Sequence, residues 1–100
     1  KIINMKKAST YKELTNNKSL FYTLQYERTH PIIMGHIEDA IESAVEKGQY
    51  FVSFELHSLS FYDIKMIMKV LAHYEFNVTY SEIEGTTETG QNVLINVQWL

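Results

Sequence analysis

Apolar residues recur every three or four positions through the first half of the chain and every second position through much of the rest. In "NMKKASTYKELTNN", Met5, Ala8, Tyr11 and Leu14 stand three apart, the spacing of one helical face. Asn4 is a candidate cap for this helix, and Asn16-Asn17 a candidate stop. Residues 19–28, "SLFYTLQYER", fit two patterns. Leu20, Tyr22, Leu24 and Tyr26 alternate as a strand would, while Leu20, Phe21 and Leu24 suit a helix. The helical reading is preferred because both neighbouring segments are helical.

"THPIIMGHIEDAIESAVEKG" carries the clearest helical pattern. Ile33, Ile37, Ile41, Ala44 and Val45 form one stripe, with Glu38, Asp39, Glu42 and Glu46 facing outward. Thr29 is the predicted N-cap, Pro31 sits in the first turn where a missing N–H costs nothing, and Gly48 supplies the stop. Gly35 costs about 1 kcal/mol relative to Ala and marks a possible close helix approach.

The second half reads strand, helix, strand, strand. "QYFVSFEL" alternates Phe51, Ser53 and Glu55 against Val52, Phe54 and Leu56. "SFYDIKMIMKVLAHY" turns Ile64, Ile67, Met68 and Leu71 inward as a helix. "FNVTYSEI" and "NVLINVQWL" are strands joined across "EGTTETGQ", with Phe76, Val78 and Tyr80, and Val93, Ile95, Val97 and Trp99, facing the core. The last strand is the most apolar, so it is expected between the other two in an antiparallel sheet. The predicted fold is α+β, ordered α-α-β-α-β-β: N-terminal helices on a small, mostly antiparallel three-stranded sheet. One hundred residues without linker, repeat or low-complexity tract make residues 1–100 a single domain.

"FELHSLSFYDIK" crowds Glu55, His57, Ser58, Ser60 and Asp63 and invites a Ser-His-acid catalytic reading. The local pattern favours a helix start. Ser60 and Asp63 have capping-box spacing, and Leu59 and Ile64 that of a hydrophobic staple. No glycine lies between Gly48 and Gly85 to build oxyanion donors. The four histidines, His30, His36, His57 and His73, lack metal-ligand spacing. Glu82, Glu84 and Glu88 gather near the last hairpin, where a solvated tip explains them better than acid–base work. "GTTETG" lacks the Lys of a phosphate loop.

With no cysteine, disulfides and thiolate chemistry are excluded. A net charge of −3 argues against a dedicated nucleic-acid binder and falls short of a nucleic-acid mimic. No apolar run is long enough to span a membrane, and the basic N-terminus lacks the apolar stretch of a secretory signal. Aromatics are plentiful at 13%, more than one small core needs. Tyr11, Phe21, Tyr22, Tyr26, Phe61 and Tyr62 therefore form the candidate interaction surface, because Tyr offers large contact area at low entropy cost.

The second half, "IEDAIESAVEKGQYFVSFE", then "LS" opening a helix, "FNVTYSEI" and "VLINVQW", resembles small accessory proteins of tailed bacteriophages. The likeness rests on Ile37, Ala40, Ile41, Gly48, Val52, Leu59, Ser60, Val78, Ile95 and Trp99 and covers about two-thirds of the chain. Where those proteins commonly carry "LGY" or "LGF" before the second strand, this chain has Leu71 followed by "AHYEF". The resemblance implies a phage protein acting in the host cytoplasm and transfers no catalytic residue. The expected function is non-enzymatic binding of a host or phage protein, with no cofactor, metal, nucleic acid or membrane. A self-associating virion or assembly component is the alternative, with homo-oligomerisation through the helical half, and a nucleotide-sequestering protein is a third class.

Overall fold

The computed structural model describes residues 5–87 and 90–100. Three helices, α1 (Ala8–Thr29), α2 (Pro31–Glu46) and α3 (Phe61–His73), accompany three strands, β1 (Phe51–Leu59), β2 (Asn77–Thr87) and β3 (Gly90–Gln98). Their order is the expected α-α-β-α-β-β. The strands lie β1-β3-β2, and both pairings are antiparallel. β3 is central because Val93, Ile95 and Val97 are all fully buried, each worth about 1.5–3 kcal/mol against exposure. Their partners across the ladder, Leu56, Phe54 and Val52 on one side and Val78 on the other, pack against the same core. The opposite sheet face carries Ser53, Asn96 and Thr79 and is open to water, as one-sided antiparallel sheets allow.

Helices cover the apolar face. α3 buries Ile64, Met66, Ile67, Val70 and Leu71, and α2 buries Ile37 and Ala44. Met68 is only half-buried, and Val45, expected in the α2 stripe, is exposed. Tyr80 also lies further out than expected, exposed although it pairs with the buried Ile95.

The helical half departs from expectation in two ways. Asn16-Asn17 does not stop α1, which runs unbroken to Thr29. Each Asn costs only about half a kcal/mol in a helix, and no Gly or Pro interrupts the segment. The expected cap Asn4 lies outside the described residues, and Lys7 occupies the N-cap position. Thr29 is not the cap of α2 either. It ends α1, donating its hydroxyl back to the carbonyls of Gln25 and Tyr26 at 2.9 and 3.3 Å. His30 alone separates the helices. Pro31 forces this break, because its ring disfavours helical geometry in the residue before it.

β1 carries the other irregularity. Leu56 pairs with Val93 and Leu59 with Gln91, so β1 advances three residues while β3 advances two. The extra residue is a β-bulge, with Ser58 at φ 58°. It reverses the alternation, and Leu59 points into the core. Gly90 sits against this bulge so closely that a Cβ would lie 2.7 Å from the Leu59 carbonyl oxygen. The strands also run further toward the hairpin tip than expected, with Thr87 paired to Gly90.

Two helices end in the same hydrogen-bonded turn. After α2, Gly48 and Gln49 donate to Val45 and Ala44; after α3, Glu75 and Phe76 donate to Ala72 and Leu71. Both are Schellman caps, which need a left-handed residue. Gly48 takes φ 72° and Glu75 takes φ 70°. Glu75 thus takes a left-handed position that favours glycine, and its Cβ strains the turn. Glu75→Gly is expected to stabilise the fold by about 1 kcal/mol in urea denaturation, and an unchanged or lowered midpoint would contradict this account of the turn.

Candidate interaction surface

The position of α1 is set by a contact no local pattern reveals. Tyr26, in the last turns of α1, is 2% exposed, and its hydroxyl donates to Asp63 Oδ1 at 2.9 Å. Asp63 belongs to the capping box of α3: its backbone N–H donates to Ser60 Oγ at 3.1 Å, and its Oδ2 accepts from the Ser60 N–H at 3.4 Å. Ser60 Oγ also donates to Oδ2 at 2.8 Å. Of the residues that suggested catalysis, Ser60 and Asp63 are thus engaged in capping one helix and anchoring another. His57 lies apart on the β1 bulge, exposed, 3.5 Å from Glu55.

The His30 ring stacks on Tyr26 with centroids 3.9 Å apart, and its Nδ1 lies 2.9 Å from the Tyr26 carbonyl oxygen. The α1–α2 corner therefore rests on the same tyrosine. Burial first, then the bond to Asp63, pushes the Tyr26 hydroxyl well above its usual pKa. Partial burial of Asp63 pushes its carboxyl up, but hydrogen bonds from Ser60 and Tyr26 outweigh that and hold it below the usual carboxylate range.

Tyr26 consequently leaves the candidate surface: it is a core residue whose polar tip finds a carboxylate. The other five positions are exposed. Phe21 lies on the side of α1 turned away from α3, as helical geometry requires when Thr23 and Tyr26 face inward, while Tyr11 stands three turns before Tyr22 on the same flank of the helix. Tyr22 and Tyr62 come together across the α1–α3 junction, where they line a groove of about 290 Å³ with Lys65, Lys69 and Met66. Tyr62 also meets Tyr26 edge-on at 6.1 Å, and Phe21 meets Tyr22 at 5.5 Å. Phe61, 68% exposed, begins α3 beside Tyr62.

The groove is basic against the trend of the chain. From residue 29 onward there are only three Lys or Arg, Lys47, Lys65 and Lys69, and two of them line it. Lys69 Nζ donates to Ser19 Oγ at 3.2 Å, which ties it to α1. Lysines were not among the sequence candidates; their i, i+4 spacing on α3 was the available signal.

Elsewhere, His36 and His73 are exposed, and His73 packs edge-on to Tyr74. Glu82 is exposed, while the side chains of Glu84 and Glu88 lie outside what the structure describes. Among the described residues no cluster of His, Cys, Asp or Glu has metal-binding geometry, and no helix is long and apolar enough to cross a membrane. No protein-family model, curated protein or solved structure matches the chain.

Linkage fixes the pH dependence of the anchor. The lowered pKa of Asp63 contributes stability above its unfolded value, near 4, that is lost as pH falls through the folded value. The raised pKa of Tyr26 contributes stability fully present below about pH 10 and lost above it. Tyr26→Phe is expected to cost about 1 kcal/mol at pH 7, allowing for the partial exposure of Asp63, and less at pH 3. Urea denaturation at both pH values checks this, and an equal cost at both would contradict it.

Proposed function

We propose that this chain is a non-enzymatic phage accessory protein that works in the host cytoplasm by binding a host or phage protein. The observation that carries the binding reading is the groove of Tyr22, Tyr62, Lys65 and Lys69, with the exposed ring of Phe61 next to Tyr62 at the start of α3. Aromatic side chains at an accessible groove are what interface hot spots are made of, and two ammonium groups beside them select a partner carrying Asp or Glu near an apolar side chain. The engagement of Ser60 and Asp63 in the cap and anchor supports a role without chemistry. The phage attribution is supported by the sequence resemblance alone. Of the residues that carry it, Ile37, Leu59 and Ile95 are buried, Ser60 caps α3 and Gly48 ends α2, so the likeness bears on folding positions.

The test is a tagged pull-down from bacterial lysate, with and without phage infection, read by mass spectrometry. A stoichiometric protein is expected with the wild type, lost with Tyr22→Ala/Tyr62→Ala and with Lys65→Glu/Lys69→Glu, and kept with the distant Tyr80→Ala. No captured protein, or capture indifferent to these changes, would overturn the reading. So would a melting shift in a nucleotide panel that the lysine changes abolish, since that would make the groove a nucleotide site.

A further inference from the structure

The first half of α1 lies beyond the rest of the molecule. The radius of gyration is 16.9 Å and the longest dimension 60 Å, against the roughly 13 Å radius of a compact 100-residue domain. Only Thr23 and Tyr26 of α1 are buried. Along its outer side Lys7, Tyr11, Leu14, Lys18 and Phe21 follow one another at spacings of four, three, four and three residues, which is a single seam. Leu14 is 47% and Phe21 55% exposed. A free helical segment this short is marginal in water, and it exposes apolar side chains that call for cover.

A matching surface exists on the body. An open apolar groove of about 580 Å³ runs between α2 and α3, with Met34, Ile41 and Phe76 in its wall and Glu27, Glu38 and Glu42 at its rim. α2 contains four acidic residues and no Lys or Arg, whereas residues 5–18 contain four lysines and one acid. Glu27 Oε1 accepts from the Tyr74 hydroxyl at 2.7 Å, but its Oε2 is buried without a hydrogen-bond partner. A carboxylate oxygen so placed favours a cationic group entering the groove.

The arm cannot reach its own groove. α1 is one continuous helix, and at its rise of about 1.5 Å per residue Lys18 stands about 14 Å along the axis from Glu27, with Ala8 about 28 Å away. Two arms packed on each other would oppose Lys7 and Lys18 to the same charges. We infer that the arm of one copy docks its Lys7–Tyr11–Leu14–Lys18–Phe21 seam into the acidic α2–α3 groove of a second copy, and that reciprocal exchange closes a two-fold dimer. This interface is separate from the Tyr22–Tyr62 groove proposed for another protein.

Light scattering over a range of concentrations tests it by charge exchange. The wild type is expected at twice the 11.7 kDa chain mass at high concentration, dissociating on dilution. Lys7→Glu/Lys18→Glu in the arm, or Glu38→Lys/Glu42→Lys in the groove, is expected to weaken the dimer at least tenfold; all four side chains are exposed, and circular dichroism should confirm unchanged folding. An equimolar mixture of the two variants, or all four changes in one chain, is expected to restore it. A wild type monomeric at every concentration would overturn the inference. So would a dimer that Leu14→Ser abolishes but groove reversal leaves intact, since that would place arm against arm.

Discussion

A single hydroxyl–carboxylate contact decides where the first quarter of the chain goes. α1 shares only its inner face with α3, and among its large side chains only Tyr26 is fully withdrawn from water. Its hydroxyl must then find a partner, because an unpaired one buried in the core would cost about 1–3 kcal/mol. Asp63 supplies it while already engaged at the start of α3. The carboxylate thus begins one helix and anchors another at once. From that anchor follow the corner at His30, the Tyr22–Tyr62 groove and the direction in which the free end of α1 projects.

The sheet supports this arrangement from below. β3 runs between the other strands, and the three valine and isoleucine side chains at its centre are sealed by α2 and α3. The bulge at Ser58 lets Leu59 join them just before Ser60 opens α3. A strand end, a core residue and a helix cap are therefore set by three consecutive positions, Ser58 to Ser60, and the crowding of polar residues there is a by-product of that economy. Chemistry is not needed to explain it.

Much of the fold was legible in periodicity. The alternation of "NVLINVQW" identified the central strand, Ser-x-x-Asp identified the cap, and Gly48 and Pro31 bounded α2. What was not legible has a common cause. Tyr26 and Asp63 are 37 residues apart, and spacing rules act over one or two turns. For that reason Tyr26 reads as a surplus aromatic in the sequence and as a core residue in the structure. The continuity of α1 through Asn16-Asn17 was hidden similarly, since weak local preferences yield to docking further along. The bulge was not legible because the alternation of the first strand ends at Leu56 and Leu59 reads as a staple residue before the helix, whereas β1 runs on to Leu59. Of the candidate surface, the exposed tyrosines were legible but their grouping was not. Only the crossing of α1 and α3 shows that Tyr22 and Tyr62 line one groove with two lysines while Tyr11 lies beyond it on the arm.

The central claim is that α1 is held by its C-terminal half alone and that its N-terminal half is ordered by contact with another copy. Hydrogen exchange of the wild-type amides, followed at a concentration above and one below dimer dissociation, tests it most directly. Amides of residues 20–29 should exchange slowly at both concentrations, and those of residues 11–18 slowly only at the higher. Equal protection along the whole of α1 at both concentrations, or rapid exchange of residues 20–29, would contradict the account.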